Sequence, residues 1–312
     1  MRAVEDAGPY VSAARNGRGR PPDTPKRGNN MDLKFTKMQA YGNDYVYINA
    51  VDQKIDDPNA LARRVSERHF GIGSDGVVLI CPSEKGEFRM RMFNPDGTEG
   101  EMCGNALRSL SKYVYDHGMT DKTEFEIETL GGMQHIWLDV RDGEAVNITA
   151  DIGCPRMDTK VIPVNTDLRE FVDQPVEILD RTFRITAVSW GNPHCVMFID
   201  DTASFDVAKY GPAIEHHTDL FPNKTNVTFA QVVARDYIKI REWERGTGET
   251  IGCGTGCCTA AVAAAMLGYC DRKVTVEQIG GNLLVDWRQE DGHVRMTGPS
   301  HTVFEGVLFD EA

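Results

Sequence analysis

The chain has 312 residues, of which 41% are hydrophobic and 26% are charged, and its formal net charge is −13. This composition is typical of a globular protein with a large core, and it excludes a disordered, collagenous or coiled-coil chain. The acidic balance argues against a nucleic-acid partner or an anionic membrane surface, because both require a basic footprint. No apolar run of the sequence approaches the roughly 20 residues that span a bilayer.

Residues 1–30 differ from the rest of the chain. They are rich in Gly, Pro, Arg and Asn, and six basic against three acidic residues give them a net charge of +3. This pattern predicts a disordered tail or an expression extension, with Met31 as the natural start. The segment lacks the apolar stretch of a secretory signal, so a cytoplasmic location is expected.

The next segments read as a sheet interrupted by one central helix. Strand-like runs come first, YVYINAV and VVLI, and then FRMRMF at 88–93. A polar turn follows, and Cys103-Gly104 opens a predicted helix over 105–117 that ends at Gly118. The runs FEIETL and HIWLDV then continue as predicted strands.

The second half of the chain repeats this order. The runs FRITAVSW, CVMFID, NVTFAQVV and YIKIREW are strand-like. Cys253-Gly254 opens a second predicted helix over 255–267 that ends at Gly268. That helix is small and apolar on nearly every face, which indicates burial on all sides. The runs VTVEQI and NLLVDW follow as strands.

An internal repeat relates the two halves. Cys103 recurs as Cys253 and Gly118 recurs as Gly268, both at an offset of 150 residues. A period of this length indicates a duplicated domain rather than a solenoid. We therefore expect an α/β fold of the α+β type, with two pseudo-symmetric domains that each curl a mainly antiparallel sheet around a central helix. The active site is expected in the cleft between them, and the expected domains are 31–148, completed by 302–312, and 149–301.

The eight cysteines do not form a disulfide or zinc pattern. Their spacing is irregular in a long chain without a secretory signal, which indicates a reduced compartment. Cys253, Cys257 and Cys258 lie close together in the sequence, but no second ligand pair completes a zinc site. No metal is therefore expected.

The position of Cys103 and Cys253 indicates a reaction class. Each immediately precedes a helix N-terminus, where free N–H groups and the helix dipole bind anions and lower the pKa of a thiol. Two such helix ends would hold one carboxylate with a sulfur on either side of it. This arrangement suits removal of a proton α to the carboxylate from one face and delivery of a proton to the other. Pyridoxal phosphate is not needed if the helix ends stabilise the carbanion-like state.

A resemblance to the diaminopimelate epimerase family rests on five segments: KMQAYGNDYVYIN, GIGSDGVVLI, FNPDGTEGEMCGNALRSL, GNPHCVMFID and EWERGTGETIGCGTGCCTAAVAAAMLG. It extends from Leu33 to the C-terminus. The resemblance implies a PLP-independent isomerase that converts L,L-diaminopimelate to the meso form for lysine and peptidoglycan precursors. It also implies domain closure around the substrate and a homodimer, with no cofactor.

The resemblance also implies the residues of the site. Cys103 and Cys253 match the catalytic cysteines, and His194 and Glu244 match groups that take up the thiol protons. The other matching residues bind the substrate: Gly104, Asn105, Gly254 and Thr255 at the reacting carboxylate, and Asn43, Asn94, Asn192, Asn226 and Arg245 as further contacts, several of them at the distal centre.

Three departures from the family pattern leave the substrate open. Gly76 stands where Gln is common, and Ala106 and Ser109 replace Gly and Cys of the first cysteine motif. One alternative is a racemase of another amino acid, for example histidine, on the same fold. A second is a non-catalytic thiol- or metal-binding paralogue. The GxGxxG match at 71–76 precedes a strand instead of opening a helix, so dinucleotide binding is not expected.

Overall fold

The computed structural model describes residues 32–309. The predicted tail at 1–30 lies outside the described residues. The described part is a mixed α/β fold, mostly sheet, with eighteen strands and four helices arranged as two similar halves. This architecture confirms the predicted fold class.

The first half contains two helices. They are α1 (Pro58–Ser66), which begins after the N-cap Asp57, and α2 (Gly104–Asp116). Its strands are β1 (Leu33–Ala40), β2 (Asn43–Asn49), β3 (Val77–Cys81), β4 (Phe88–Phe93), β5 (Glu99–Gly100), β6 (Glu124–Thr129), β7 (Gly132–Arg141) and β8 (Glu144–Asp151).

The second half has the same sequence of elements, with an additional strand at each end. Its helices are α3 (Val207–Glu215) and α4 (Gly254–Met266). Its strands are β9 (Gln174–Ile178), β10 (Arg181–Ser189), β11 (Pro193–Phe198), β12 (Asn226–Ala234), β13 (Tyr237–Glu244), β14 (Gly248–Thr250), β15 (Lys273–Gln278), β16 (Gly281–Trp287), β17 (Val294–Gly298) and β18 (His301–Leu308).

The strand pairing has the same order in both halves. In the first half, neighbouring strands follow the order β8–β7–β6–β4–β3–β2–β1–β18. In the second half the order is β17–β16–β15–β13–β12–β11–β10–β9. The parallel pairs also occupy equivalent places. They are β2–β3 and β4–β6 in the first half, and β11–β12 and β13–β15 in the second half. This agreement confirms the duplication inferred from the sequence.

The two halves are joined by a ladder between β8 and β17. These strands pair antiparallel, with Ile148 opposite Gly298 and Asp151 opposite Arg295. The expected domain boundary between residues 148 and 149 falls inside β8. The last strand, β18, pairs with β1 at the far edge of the first half. The expected division into two domains stays a prediction. The first domain would comprise residues 31–148 and 302–312, and the second residues 149–301.

The central helices α2 and α4 begin one residue earlier than predicted. Each has a cysteine as its N-cap, because Cys103 and Cys253 both keep an extended backbone, with φ of −134° and −125°. At the other end, Gly118 and Gly268 adopt φ of +65° and +74°, a left-handed conformation that glycine adopts without steric cost. The local signals therefore place both helices correctly.

Both central helices pack inside the largest hydrophobic cluster. This cluster contains Leu107 and Leu110 of α2 together with Val262 and Ala263 of α4. All residues of α4 from Gly256 to Ala264 are buried, as the apolar sequence of this helix predicts. The smaller helices α1 and α3 cover the outer faces of the first and second sheets in two further clusters. Residues of both central helices thus share one hydrophobic core.

Candidate active site

A cavity of about 550 Å³ lies where the N-termini of α2 and α4 meet. Residues of both halves line it, including both N-cap cysteines. Ten of the predicted site residues are in its wall, namely Asn43, Cys103, Gly104, Asn105, Asn192, Glu244, Arg245, Cys253, Gly254 and Thr255. The structure therefore gathers most of the predicted site into one place, although those residues are spread over more than 200 positions of sequence.

Three predicted residues lie outside this wall. Asn94 belongs to the turn after β4, where its Nδ2 donates to Thr98 Oγ1 at 3.0 Å. Asn226 lies behind the wall, and its Oδ1 accepts the backbone N–H of Arg245 at 2.8 Å. His194 is fully buried in β11. Asn226 thus positions the backbone of a cavity residue rather than facing the cavity.

The two cysteines differ in their hydrogen bonds. The Cys103 thiol donates to Asn43 Oδ1 at 3.4 Å and makes no cap bond to its own helix. The Cys253 sulfur accepts the N–H of Gly256 at 3.4 Å and so caps α4. Cys253 is also the more deeply buried of the two. The two acid–base candidates are therefore equivalent in position but not in environment.

Burial dominates the acidity of both thiols. It raises the pKa of Cys103, against backbone N–H groups of Ala106 and Asn105 that lower it. It also raises the pKa of Cys253, and Glu244 adds to this rise through repulsion of the thiolate. The expectation that the helix ends lower the thiol pKa overall was wrong for this structure, because the loss of hydration outweighs the helix-end hydrogen bonds. A nearby proton acceptor would favour formation of a thiolate at either cysteine.

Glu244 is suited to exchange protons near neutral pH. Burial raises the pKa of its carboxyl group to about 7, although the Thr250 hydroxyl, which donates to Oε1 at 2.5 Å, lowers it. A carboxyl group with this pKa is both an effective acid and an effective base at physiological pH. Its place in the cavity wall brings that capacity to the site of the cysteines.

His194 is paired with a second buried acid. Its Nδ1 lies 3.5 Å from Oε1 of Glu242, which is itself 2% exposed. Within the described residues neither atom has a hydrogen-bond partner, whereas the other Glu242 oxygen accepts the Thr228 hydroxyl at 2.5 Å. On the far side of the ring, Asn226 Nδ2 lies 3.4 Å from Nε2. A proton on Nδ1 would therefore face Glu242 and leave Nε2 as the basic atom.

The comparisons with known proteins agree on one family. Two segments of the chain, residues 35–157 and 186–303, match the family model described as diaminopimelate epimerase. Relatives with that name in Acetivibrio thermocellus and Desulfovibrio desulfuricans are 48% and 49% identical over 276 and 283 residues. Those alignments cover 88% and 89% of this chain and 98% of each relative. The chain belongs to the diaminopimelate epimerase family. It is accordingly an isomerase of the epimerase type.

Solved structures of low sequence identity share the fold. A phenazine biosynthesis protein of the PhzF family from Bacillus anthracis superposes with a TM-score of 0.67 at 17% identity, over 89% of this chain and 99% of that chain. A probable proline racemase from Agrobacterium radiobacter gives a TM-score of 0.65 at 14% identity, over 89% and 93%. At this level of identity the likeness extends to the architecture alone.

One departure from the diaminopimelate epimerase pattern has a structural explanation, and a different glutamine lines the cavity. Gly76 has φ of +149°, and a Cβ there would lie 2.2 Å from the carbonyl oxygen of Phe93, so this backbone does not admit a glutamine. Gln134, which the sequence analysis did not identify, lines the cavity at 8% exposure, and its Oε1 has no hydrogen-bond partner. Its place in the repeat gave no sign of this role.

Three further residues near the site were missed from the sequence. Asp75 accepts from Asn43 Nδ2 at 2.8 Å and so orients the side chain that contacts Cys103. Glu242 occupies an inward position of β13, which the alternation of its strand could have indicated. Arg108 is fully buried one turn into α2. No pattern in the sequence indicated its burial, because its neighbours at helical spacing are polar, namely Asn105, Ser111 and Lys112.

No helix in the described part of the chain is long and apolar enough to cross a membrane. Within residues 32–309, no group of three or more His, Cys, Asp or Glu side chains is arranged to hold a metal ion.

Proposed function

We propose that this chain interconverts L,L-diaminopimelate and meso-diaminopimelate by a two-base mechanism in which Cys103 and Cys253 act on opposite faces of one α-carbon. The relatives named diaminopimelate epimerase, at up to 49% identity, support the substrate. One observation supports the mechanism most directly, namely that both cysteines are helix N-caps in the wall of a single cavity.

The reacting carboxylate binds between the two helix ends in this proposal. The first N–H groups of an α-helix have no partner within the helix. Those of α2 belong to Gly104 and Asn105, and those of α4 belong to Gly254 and Thr255, and all four residues line the cavity. The helix dipoles add positive potential at the same place. Negative charge that develops on the carboxylate during proton transfer is stabilised there without any rearrangement.

The proton transfer is balanced without a cofactor. One cysteine, as thiolate, takes the α-proton, and the C–H electron pair stays on the substrate as a carbanion stabilised by the carboxylate. The other cysteine, as thiol, gives its proton to the opposite face and becomes a thiolate. The α-centre is inverted and the net charge is unchanged. We propose that Glu244 and His194 then take up the proton from the first cysteine and return it to the second, so that the site is reset for the next turnover.

The distal end of the substrate is assigned to the other polar residues of the wall. Arg245 is exposed at the cavity, and its Nη1 donates to the carbonyl of Asn223 at 3.0 Å. Its guanidinium can bind the distal carboxylate in bidentate fashion. Asn192 and Asn43 offer both donors and acceptors to the distal amino acid centre. Contacts of Asn94 and Asn226 with the substrate stay predictions, since both lie outside the wall.

Several properties of the protein are part of the same proposal. We propose that it works in the cytoplasm, independently of PLP, and supplies lysine and peptidoglycan precursors. We also propose a homodimer formed through β18. Val303, Phe304 and Val307 of this edge strand are 54%, 45% and 42% exposed, which is an unusual concentration of apolar surface on one strand.

Deuterium incorporation tests this function. The purified protein is incubated in D2O with L,L-diaminopimelate, histidine or proline, and α-deuteration is followed by mass spectrometry. We expect exchange with diaminopimelate alone, and loss of epimerisation in Cys103→Ala and in Cys253→Ala. Exchange with another amino acid but not with diaminopimelate would show that the protein is a racemase of that amino acid instead. No exchange with any substrate would favour a non-catalytic paralogue.

A further inference from the structure

Arg108 carries a buried positive charge behind the candidate site. It lies one helical turn after Gly104, and its side chain is fully buried. Its Nη1 donates to the carbonyl of Gly104 at 3.3 Å, and Nη2 donates to Asn105 Oδ1 at 2.5 Å. Its guanidinium therefore folds back toward the first turn of its own helix, as long side chains on helices do.

The guanidinium is close to both helix ends. A Cβ placed on Gly104 would lie 4.0 Å from its Nη1, and one placed on Gly254 would lie 3.9 Å from it. The same nitrogen is 3.7 Å from the sulfur of Met296, which lies against both glycines. Arg108 thus occupies the place where the two halves of the repeat meet.

No carboxylate balances this charge in the described part of the chain. Its Nε is buried without a hydrogen-bond partner, and the ring of Tyr41 lies 5.4 Å from the guanidinium carbon. Burial lowers the pKa of Arg108, and the ionisable groups that counteract this are Tyr41, Cys103, Cys257 and Cys258. A buried ion without a partner is strongly destabilising, because it loses its hydration without compensation. This destabilisation is explained if the partner is an anion that is present only during the reaction.

The hydrogen bonds of Arg108 also determine how Asn105 is oriented. A guanidinium has only donors, so the amide oxygen of Asn105 must face it. The Asn105 Nδ2 is thereby directed toward Asn43 Oδ1 at 3.3 Å and the Gly252 carbonyl at 3.4 Å. Asn43 Oδ1 is the atom that accepts the Cys103 thiol. One chain of contacts connects Arg108 to a candidate catalytic sulfur.

We propose that Arg108 is a positioning residue of the reaction, which orients Asn105 and gives the carboxylate site between the two helix ends a permanent positive charge. This role rests on the proposed function, because it assumes that an anion forms and binds at those ends. It predicts that the charge of Arg108 favours the Cys103 thiolate and the carboxylate, and that its planar donors set the geometry.

Three variants separate these contributions. Arg108→Met removes the charge and the donors, and Arg108→Lys keeps the charge without the planar donors. Lys112→Met is the matched control, because Lys112 is also buried on α2, one turn further on, where it pairs with Asp116 at 2.6 Å. Circular dichroism and thermal unfolding establish that each variant is folded.

The first readout needs no substrate. The rate of iodoacetamide alkylation is measured against pH at each cysteine by peptide mass spectrometry, with exposed Cys154 as internal reference. The ionisable groups that interact with the Cys103 thiol are Tyr45, Tyr47, Glu244 and Arg108. We expect alkylation of Cys103 in Arg108→Met to slow about tenfold below the thiol pKa, which corresponds to a rise of about one unit. Arg108→Lys and Lys112→Met should follow the wild type.

The second readout is turnover of diaminopimelate. We expect Arg108→Met to raise KM and lower kcat, and Arg108→Lys to recover KM but not kcat. A folded Arg108→Met with the alkylation profile and kinetics of Lys112→Met would overturn the proposal. If Arg108→Met does not fold, wild-type kcat in Arg108→Lys overturns the positioning role. A wild type that exchanges no diaminopimelate refutes the proposed function instead, and leaves the alkylation result interpretable.

Discussion

Gly104 and Gly254, the first residues of the two central helices, lie against the same thioether. A Cβ at either position would be 3.2 Å from the sulfur of Met296, and a Cβ on Gly104 would also lie 2.1 Å from its methyl group. The absence of a side chain at both positions leaves room for Met296 against the two helix ends. The contact of Met296 with both helix ends therefore depends on glycine at both positions.

Gly104→Ala is expected to destabilise the protein. The new methyl group displaces Met296, and overpacking of this kind costs about 1–3 kcal/mol. Urea unfolding measures the change in the free energy of unfolding. Gly131→Ala is the control, since its Cβ would meet its nearest neighbour at 3.4 Å, an ordinary contact. Equal stability of the two variants would show that Met296 moves aside without cost.

The two cysteines should differ in their effect on stability. Cys253 caps α4 through Gly256 N–H, whereas Cys103 makes no such bond to α2. Loss of an N-cap acceptor costs about 0.5–2 kcal/mol. We expect Cys253→Ala to lower the free energy of unfolding by that amount more than Cys103→Ala does. A larger loss in Cys103→Ala would contradict the observed capping.

The acid limb of activity should depend on Thr250. If deprotonated Glu244 accepts the thiol proton, kcat/KM rises with pH through the pKa of about 7. The Thr250 hydroxyl bond lowers this pKa, so its removal in Thr250→Val moves the limb to higher pH, by about one unit for a charge-assisted hydrogen bond. Thr247→Val, in the turn that precedes β14, is the control. If the acid limb of kcat/KM in Thr250→Val stays at the wild-type pH, Glu244 is not the group that accepts the thiol proton.

Glu242→Gln should impair turnover without unfolding the protein. The amide keeps the volume but no longer guarantees an acceptor for the His194 Nδ1 proton, so the ring loses its fixed tautomer. We expect kcat to fall about ten- to a hundredfold, part of what a general acid–base contributes. Glu215→Gln is the control, because Glu215 is equally buried and accepts from Trp243 Nε1 at 2.8 Å. If kcat is unchanged in Glu242→Gln, the contact between His194 and Glu242 contributes to packing and not to turnover.

Val303→Asp tests the homodimer. A charge on the exposed face of β18 should oppose burial of that face against a second copy. Sedimentation equilibrium is expected to show a dimer for the wild type and a monomer for the variant. Leu179→Asp, at a 66% exposed apolar position before β10, should leave the dimer intact. If the wild type is a monomer, the proposed homodimer is excluded.

Local signals predicted the parts of the fold that depend on neighbours in sequence. The helix starts at Cys103 and Cys253 and the helix ends at Gly118 and Gly268 follow from capping chemistry, and the structure confirms them to within one residue. The junction between β8 and β17 was not predicted. It joins residues about 146 positions apart, and alternation reveals which face of a strand is buried but not which strand lies beside it.

The residues of the candidate site were likewise predictable only in part from the sequence. The residues at the two helix ends line one cavity, as expected from the repeat, which located those ends. Asn94 was assigned to the substrate through the family resemblance, yet here it closes a turn with Thr98. Arg108 and Glu242 escaped notice because their importance comes from burial, which a single sequence shows only indirectly.

The pairing of β18 with β1 also has a consequence for biosynthesis. A ribosome that has made the whole of the first half has not yet made the strand that covers its outer edge, because β18 follows all of the second half. The nascent chain must therefore carry β1 with an open backbone edge through most of translation, a template for pairing with other chains. The first half can therefore be completed only after the strands of the second half have been synthesised.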